Sequence, residues 1–178
     1  MNNIKINLQG IASAANFIKS PNQDARPEGS QITLAVIHNI SLPPGQYGGS
    51  GVMELFTNTL DAGAHPYYAE VHQLKVSSHF FIRRDGELIQ FVPCNQRAWH
   101  AGASSWQGRE RCNDFSVGIE LEGSDDEAFE TVQYDVLNRL LTALKETYPI
   151  TDVVGHSDIA PGRKTDPGPC FDWSRINN

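Results

Sequence analysis

Residues Ile32-Thr33-Leu34-Ala35-Val36-Ile37 form a dense apolar run rich in β-branched side chains. Its shortness and composition predict a buried strand. The run ends at His38-Asn39, and the SLPPGQYGGSG that follows is so rich in glycine and proline that it predicts a loop. A short helical stretch is expected from about Val52 to Thr57. Residues 76–92 predict a hairpin, with arms VSSHFFIRR and ELIQFV around Asp85-Gly86, because glycine accepts the positive φ of a tight turn. In its first arm His79, Phe81 and Arg83 share a face by alternation. FSVGIELE, residues 115–122, predicts another strand, ending in two carboxylates.

The clearest helix is predicted from about Val132 to Tyr148, where Val136, Leu137, Leu140, Leu141 and Leu144 recur at helical spacing. Thr131 is placed to cap its start, and Pro149 lies just past its end. Val153-Val154 predicts a short strand that delivers Gly155-His156, and SDIAPGRKTDPGPC predicts a loop. FDWSRI is expected to close the chain as a short helix. Strands alternating with helices predict an α/β layer fold with a mixed sheet.

The 178 residues show no repeat, low-complexity tract or linker, so residues 1–178 are expected to form a single domain. The formal net charge of -7 argues against nucleic acid or an anionic membrane as the main partner. No run of about 20 apolar residues is present to span a bilayer. At the N-terminus Lys5, Asn7, Gln9 and Ser13 interrupt what would be the apolar core of a signal peptide. A cytoplasmic protein is therefore expected, with a monomer as the default state. The three cysteines, Cys94, Cys112 and Cys170, are odd in number and form no C-x-x-C pair. They read as reduced thiols rather than a disulfide framework or a thiolate metal site.

Candidate chemistry comes from the histidines. Of the six, His38 and His156 each sit where a short apolar strand gives way to a Gly- or Pro-rich loop, the place where sites collect in α/β sheets. Asp166 lies in the loop after His156. Two imidazoles and one carboxylate make a three-ligand zinc site with a fourth position open. No H-E-x-x-H is present, so spacing alone does not single these residues out. Glu120 and Glu122 share a face by alternation. A carboxylate beside a metal can serve as general base, and periodicity does not choose between the two. Lys164, two residues before Asp166, can supply positive charge to a developing oxyanion.

Five segments then carry a resemblance: VIHNISLPPGQYGG, SSHFFIRRDGELIQFVP, RAWHAG, GRERCNDFSVGIELEG and GHSDIAPGRKTDPGP. In order and at compatible spacing, over roughly residues 20–176, the sequence resembles the AmpD-type N-acetylmuramoyl-L-alanine amidases. The resemblance implies the fold of the peptidoglycan recognition proteins, a central mixed sheet flanked by helices. It implies one Zn²⁺ held by His38, His156 and Asp166, with Glu120 as catalytic carboxylate and Lys164 stabilising the transition state. It also implies hydrolysis of the bond between the lactyl group of a 1,6-anhydro-muropeptide sugar and L-alanine, in cytoplasmic peptidoglycan recycling. The muropeptide groove is expected to involve Asn39, Tyr67, Lys75, Trp99, Arg111, Leu121, Ala160 and Arg163. At Lys75 the compared family member has arginine; lysine keeps the charge and loses the planar fork. His79 and His100 are expected to support the site or line the groove rather than bind metal. The competing readings are a peptidoglycan-binding module that has lost catalysis, and an amidase of the same chemistry acting on intact cell wall.

Overall fold

In the central strand β3, Leu34–Ile40, successive side chains serve two different cores. Ala35 and Ile37 pack with Leu137, Leu140, Leu141 and Leu144 on one face of the sheet. Leu34 and Val36 pack with Phe115, Val154 and Ile159 on the other. That division follows from the two-residue period of a strand, and it makes the sheet the middle layer of three.

This architecture comes from a computed structural model that describes residues 3–177; Met1, Asn2 and Asn178, part of the expected domain, lie outside the described residues. The remaining strands in chain order are β1 Asn16–Phe17, β2 Gln23–Ala25, β4 Phe80–Ile82, β5 Leu88–Gln90, β6 Gln96–Ala98, β7 Ser105–Trp106, β8 Arg109–Glu110, β9 Ser116–Glu122 and β10 Asp152–Gly155. The helices are α1 Gly51–Thr57, α2 Pro66–Val71, α3 Thr131–Thr147 and α4 His156–Ile159. The main sheet has the order β1-β5-β4-β9-β3-β10. Strands β4, β9, β3 and β10 run parallel, and β5 is antiparallel to β4. The mixed sheet flanked by helices is as expected. No helix among the described residues is long and apolar enough to cross a membrane.

Strand β9 shows the same division with a chemical difference. Val117, Ile119 and Leu121 join the core under α3. Its other face carries Ser116, Gly118 and Glu120, and both polar side chains are buried. The leucine stripe of α3 is buried as its spacing predicts, and cutting one such leucine to alanine typically costs about 2–5 kcal/mol.

Several boundaries differ from expectation. Strand β3 starts two residues later and runs three further, because His38, Asn39 and Ile40 pair in register with Glu120, Leu121 and Glu122 of β9. The α3 cap is Glu130, not Thr131: Glu130 N donates to Gln133 Oε1 at 2.9 Å. The buried Gln133 amide in turn donates to the carbonyls of Ile82 and Glu122, both at 3.1 Å. The β4–β5 hairpin pairs only three residues a side. Its turn is closed by Arg83 N donating to Glu87 O at 2.9 Å, with Gly86 at φ +87°. His156 opens a single helical turn, α4, where a loop was expected. The closing helix reduces to a 3₁₀ turn, Trp173–Arg175.

Candidate active site

His38 lies in β3, Glu120 beside it in β9, and His156 immediately after β10. All three sit toward the carboxyl ends of parallel strands, where α/β sheets collect ligand-binding groups. Asp166 is brought back to them by its own backbone, because Ser157 N donates to Asp166 O at 2.9 Å. The neighbouring Pro167 fits against Gly155, where a Cβ would meet Pro167 Cδ at 2.8 Å.

The three expected ligands converge. His38 Nδ1 is 3.0 Å from His156 Nδ1 and 2.9 Å from Asp166 Oδ2, and His156 Nδ1 is 3.0 Å from the same oxygen. Both histidines are buried. A tetrahedral Zn²⁺ with bonds of about 2.0–2.2 Å needs donors about 3.3 Å apart, so this triangle fits such an ion after a few tenths of an ångström of spreading. Two imidazole nitrogens and a carboxylate oxygen are also a donor set suited to zinc. His156 Nε2 donates to Ala101 O at 3.1 Å, which leaves its Nδ1 lone pair facing the triangle.

Electrostatics separate the carboxylates. Burial opposes the charge on Asp166, but the two imidazoles outweigh it and hold its carboxyl well below the usual range. Glu120 goes the other way: burial and then the negative charge of Asp166 push it well above, with Lys164 opposing. Its Oε2 is buried and has no hydrogen-bond partner among the described residues. Glu122 is occupied instead. Gly48 N donates to Oε1 at 2.6 Å and Arg84 N to Oε2 at 3.0 Å, so this residue fastens the 41–50 loop. Burial lowers His38 and His100 and takes His79 down to about 3, keeping these rings neutral.

A cleft of about 620 Å³ opens over these groups. Of the expected groove residues, Asn39, Tyr67, Trp99 and Arg163 line it, and so does Lys164. Trp99 is held by Ser77, which donates its N–H to Trp99 O and accepts from Trp99 N. Asn39 spends its amide N–H groups on Asp125 Oδ1 at 2.7 Å and Pro167 O at 3.0 Å. Arg163 donates to Ala101 O and Ala103 O, at 2.7 and 2.6 Å. Both side chains therefore brace the ligand loops as well as face the cleft.

The other four lie elsewhere. Lys75 is exposed, between the lining residues Leu74 and Val76. Arg111 and Ala160 border an adjoining depression that shares Arg163 with the main cleft. Arg111 takes the left-handed φ of +62° and lies 3.4 Å from Asp114. Leu121 is fully buried in the core under α3, because alternation turns it away from the face that carries Glu120; its side chain does not reach the groove.

His79 and His100 are expected to support the site, and the structure supplies the partners that the sequence does not name. His100 Nδ1 lies 2.9 Å from His38 Nε2, and His100 Nε2 lies 3.1 Å from Ser116 Oγ. Asn113 Oδ1 accepts from the backbone of His100 and Ala101. The seat of His100 has its own sequence signal in the small and polar alternation Ser116, Gly118, Glu120 of β9. His79 is fastened away from the ligands, accepting from Gly118 N through Nδ1 and lying 3.0 Å from Gln96 O through Nε2.

Comparison with known proteins places the fold and the sequence in one family. The model of the N-acetylmuramoyl-L-alanine amidase family matches residues 28–169. The chain is 55% identical over 170 residues to the 1,6-anhydro-N-acetylmuramyl-L-alanine amidase AmpD of Escherichia coli (strain K12), covering 94% of this chain and 93% of that protein. A crystal structure of a selenomethionine AmpD derivative superposes with a TM-score of 0.92 at 54% identity, covering 94% of this chain and 95% of the other. AmiD of E. coli, in complex with anhydro-N-acetylmuramic acid-L-Ala-D-gamma-Glu-L-Lys, superposes with a TM-score of 0.60 at 31% identity, covering 84% of this chain and 58% of that one. With its sheet, its His-His-Asp triangle and its near full-length match, the chain belongs to the AmpD-type N-acetylmuramoyl-L-alanine amidases and is an enzyme of that family.

Proposed function

We propose that this amidase is Zn²⁺-dependent and cuts 1,6-anhydro-muropeptides between the lactyl group of the sugar and L-alanine, in cytoplasmic peptidoglycan recycling. The observation that carries the reading is the His38, His156 and Asp166 triangle in the cleft, with Glu120 on the strand beside it and its Oε2 unpartnered among the described residues. The substrate follows the relatives, one named as an anhydro-muramyl-L-alanine amidase and one bound to an anhydro-muramyl peptide.

When bound, the zinc supplies Lewis acidity, which makes the amide carbonyl more electrophilic and water more acidic. Glu120 is the general base. Its buried position and free Oε2 suit it to take a proton from the attacking water. The new C–O bond forms as that proton moves, and negative charge grows on the former carbonyl oxygen. Lys164 lines the cleft, and its charge is felt at both Glu120 and His38; it stabilises this oxyanion. Glu120 then passes its proton to the alanine nitrogen as the C–N bond breaks, giving a lactyl carboxylic acid and a free peptide amine.

Tyr67 and Trp99 line the cleft, and aromatic side chains there suit the apolar face of a sugar. Lys75 and Arg111, both exposed near its rim, suit the carboxylates of the stem peptide. Because the amide hydrogens of Asn39 are committed, its carbonyl oxygen is the part left for a substrate N–H. Ala160, which borders the adjoining depression, completes the expected groove without Leu121, whose backbone is paired on both sides within the sheet.

The test is mass spectrometry of a 1,6-anhydro-muropeptide and a matched non-anhydro muropeptide after incubation, each with and without a chelator. Free peptide released mainly from the anhydro substrate, lost on chelation and restored by zinc, supports the reading. Equal cutting of both moves the role toward a general wall amidase, and cutting that survives chelation removes the zinc dependence.

A further inference from the structure

We propose that His100 is a positioning residue: seated on Gly118 and backed by Ser116, it fixes which nitrogen His38 presents to the cleft. The proposal rests on the zinc reading of the site given above.

An imidazole binds a metal through one nitrogen, and the partner of its other nitrogen decides which one is free. For His156 that partner is the carbonyl of Ala101, which only accepts. For His38 it is His100 Nδ1, 2.9 Å from His38 Nε2. With His38 Nδ1 committed to a cation, the ring proton resides on Nε2 and is donated to His100 Nδ1. His100 then carries its own proton on Nε2 and donates it to Ser116 Oγ, 3.1 Å away. Each atom in this chain has one donor or acceptor role, and none conflicts.

The surroundings are built to hold the ring there. The rings of His38 and His100 meet edge to face, at 84° with centroids 5.0 Å apart. Gly118 lies under His100, where an added Cβ would sit 2.5 Å from His100 Cγ and 2.6 Å from Nδ1. No side chain larger than hydrogen leaves room for the ring. Asn113 Oδ1 accepts from both His100 N and Ala101 N, at 3.1 and 2.8 Å. One clamped dipeptide, His100-Ala101, thus supplies the outer partner of both candidate imidazole ligands.

The experiment compares the wild type with His100→Leu and His100→Asn. Zinc affinity is measured by chelator competition, and histidine tautomers by long-range ¹H–¹⁵N correlation in the zinc-loaded protein. Asparagine restores an acceptor near the position of Nδ1; leucine does not. The loss expected in His100→Leu is about 10- to 100-fold in zinc affinity. His100→Asn should recover most of it, and wild-type His38 and His100 should both be Nε2–H tautomers. Melting of the metal-free variants separates folding from affinity: equal melting with unequal affinity supports the role. Wild-type affinity in His100→Leu, a loss in His100→Asn as deep as in His100→Leu, or an Nδ1–H tautomer of His100 overturns it. A wild type that takes up no zinc instead brings down the zinc reading itself, so the two failures are distinguishable.

Discussion

His38 and Glu120 stand opposite each other in the parallel register of β3 and β9. Neighbouring strands lie about 4.8 Å apart, and alternation turns both side chains to the same face of the sheet. The candidate ligand and the candidate base are therefore set by backbone hydrogen bonds, not by a loop that must close.

Glu120→Gln keeps the shape of the side chain and removes its proton chemistry. Turnover should fall by about 10²–10⁴-fold with zinc content unchanged. The same change should raise the melting temperature of the metal-free protein at neutral pH. A buried acid whose folded pKa is raised binds protons more readily folded than unfolded, so its ionisation weakens the fold as pH rises. Steady-state kinetics, metal analysis and calorimetry on one preparation check all three; full turnover would remove Glu120 from the mechanism.

Asp166→Ala should lose zinc. It leaves two imidazole nitrogens 3.0 Å apart with no anionic donor to balance a dication. Metal content after desalting decides the matter, and unchanged stoichiometry means that Asp166 is not a ligand.

The metal-free protein should lose stability as pH falls below about 6.5. Burial, with Arg26 beside it, takes His79 down to about 3, whereas an unfolded histidine titrates near 6.5. Between those values the unfolded chain binds more protons than the folded one, so stability is intact above the window and lost on descending through it. At pH 5, His79 alone accounts for about 2 kcal/mol. Denaturant midpoints at pH 8, 7, 6 and 5 in the Glu120→Gln background, which removes the opposing contribution of Glu120, give the slope; a flat profile from 7 to 5 there contradicts the assignment.

Glu122→Ala should free the 41–50 loop and leave zinc in place. Two backbone N–H groups, of the exposed Gly48 and the half-buried Arg84, lose their acceptor, at about 0.5–1.5 kcal/mol for each hydrogen bond where water can take its place. Amide exchange at Gly48 is the direct readout, and unchanged protection there would mean the loop is held by other contacts.

Long apolar patterns were legible in the chain. The leucines of α3 and the run before His38 predicted their elements because burial on one or both faces imposes a period on the sequence. The choice between Glu120 and Glu122 was not legible from alternation, which places them alike; what separates them is the set of donors from residues 48 and 84, far away in the chain. His100 was expected as a support through the resemblance, but its partners were not legible for the same reason, since its seat is Gly118 and its clamp is Asn113. Strands β1, β2 and β6 to β8 span only two or three residues each, too few to show a period.

The central position of β3 has a last consequence. It pairs with β10 on one side and β9 on the other, and no tight turn fixes either register. A slip of one residue would turn His38 into the leucines of α3 and bring Ile37 to the cleft. Such a chain could still bury apolar surface, but it could not assemble the His38, His156 and Asp166 triangle. A cation that binds only the correctly paired sheet draws the population toward it by mass action. Metal uptake would thus act as a proofreader of strand pairing, and the zinc-competent fraction of a preparation would count the molecules that folded in register.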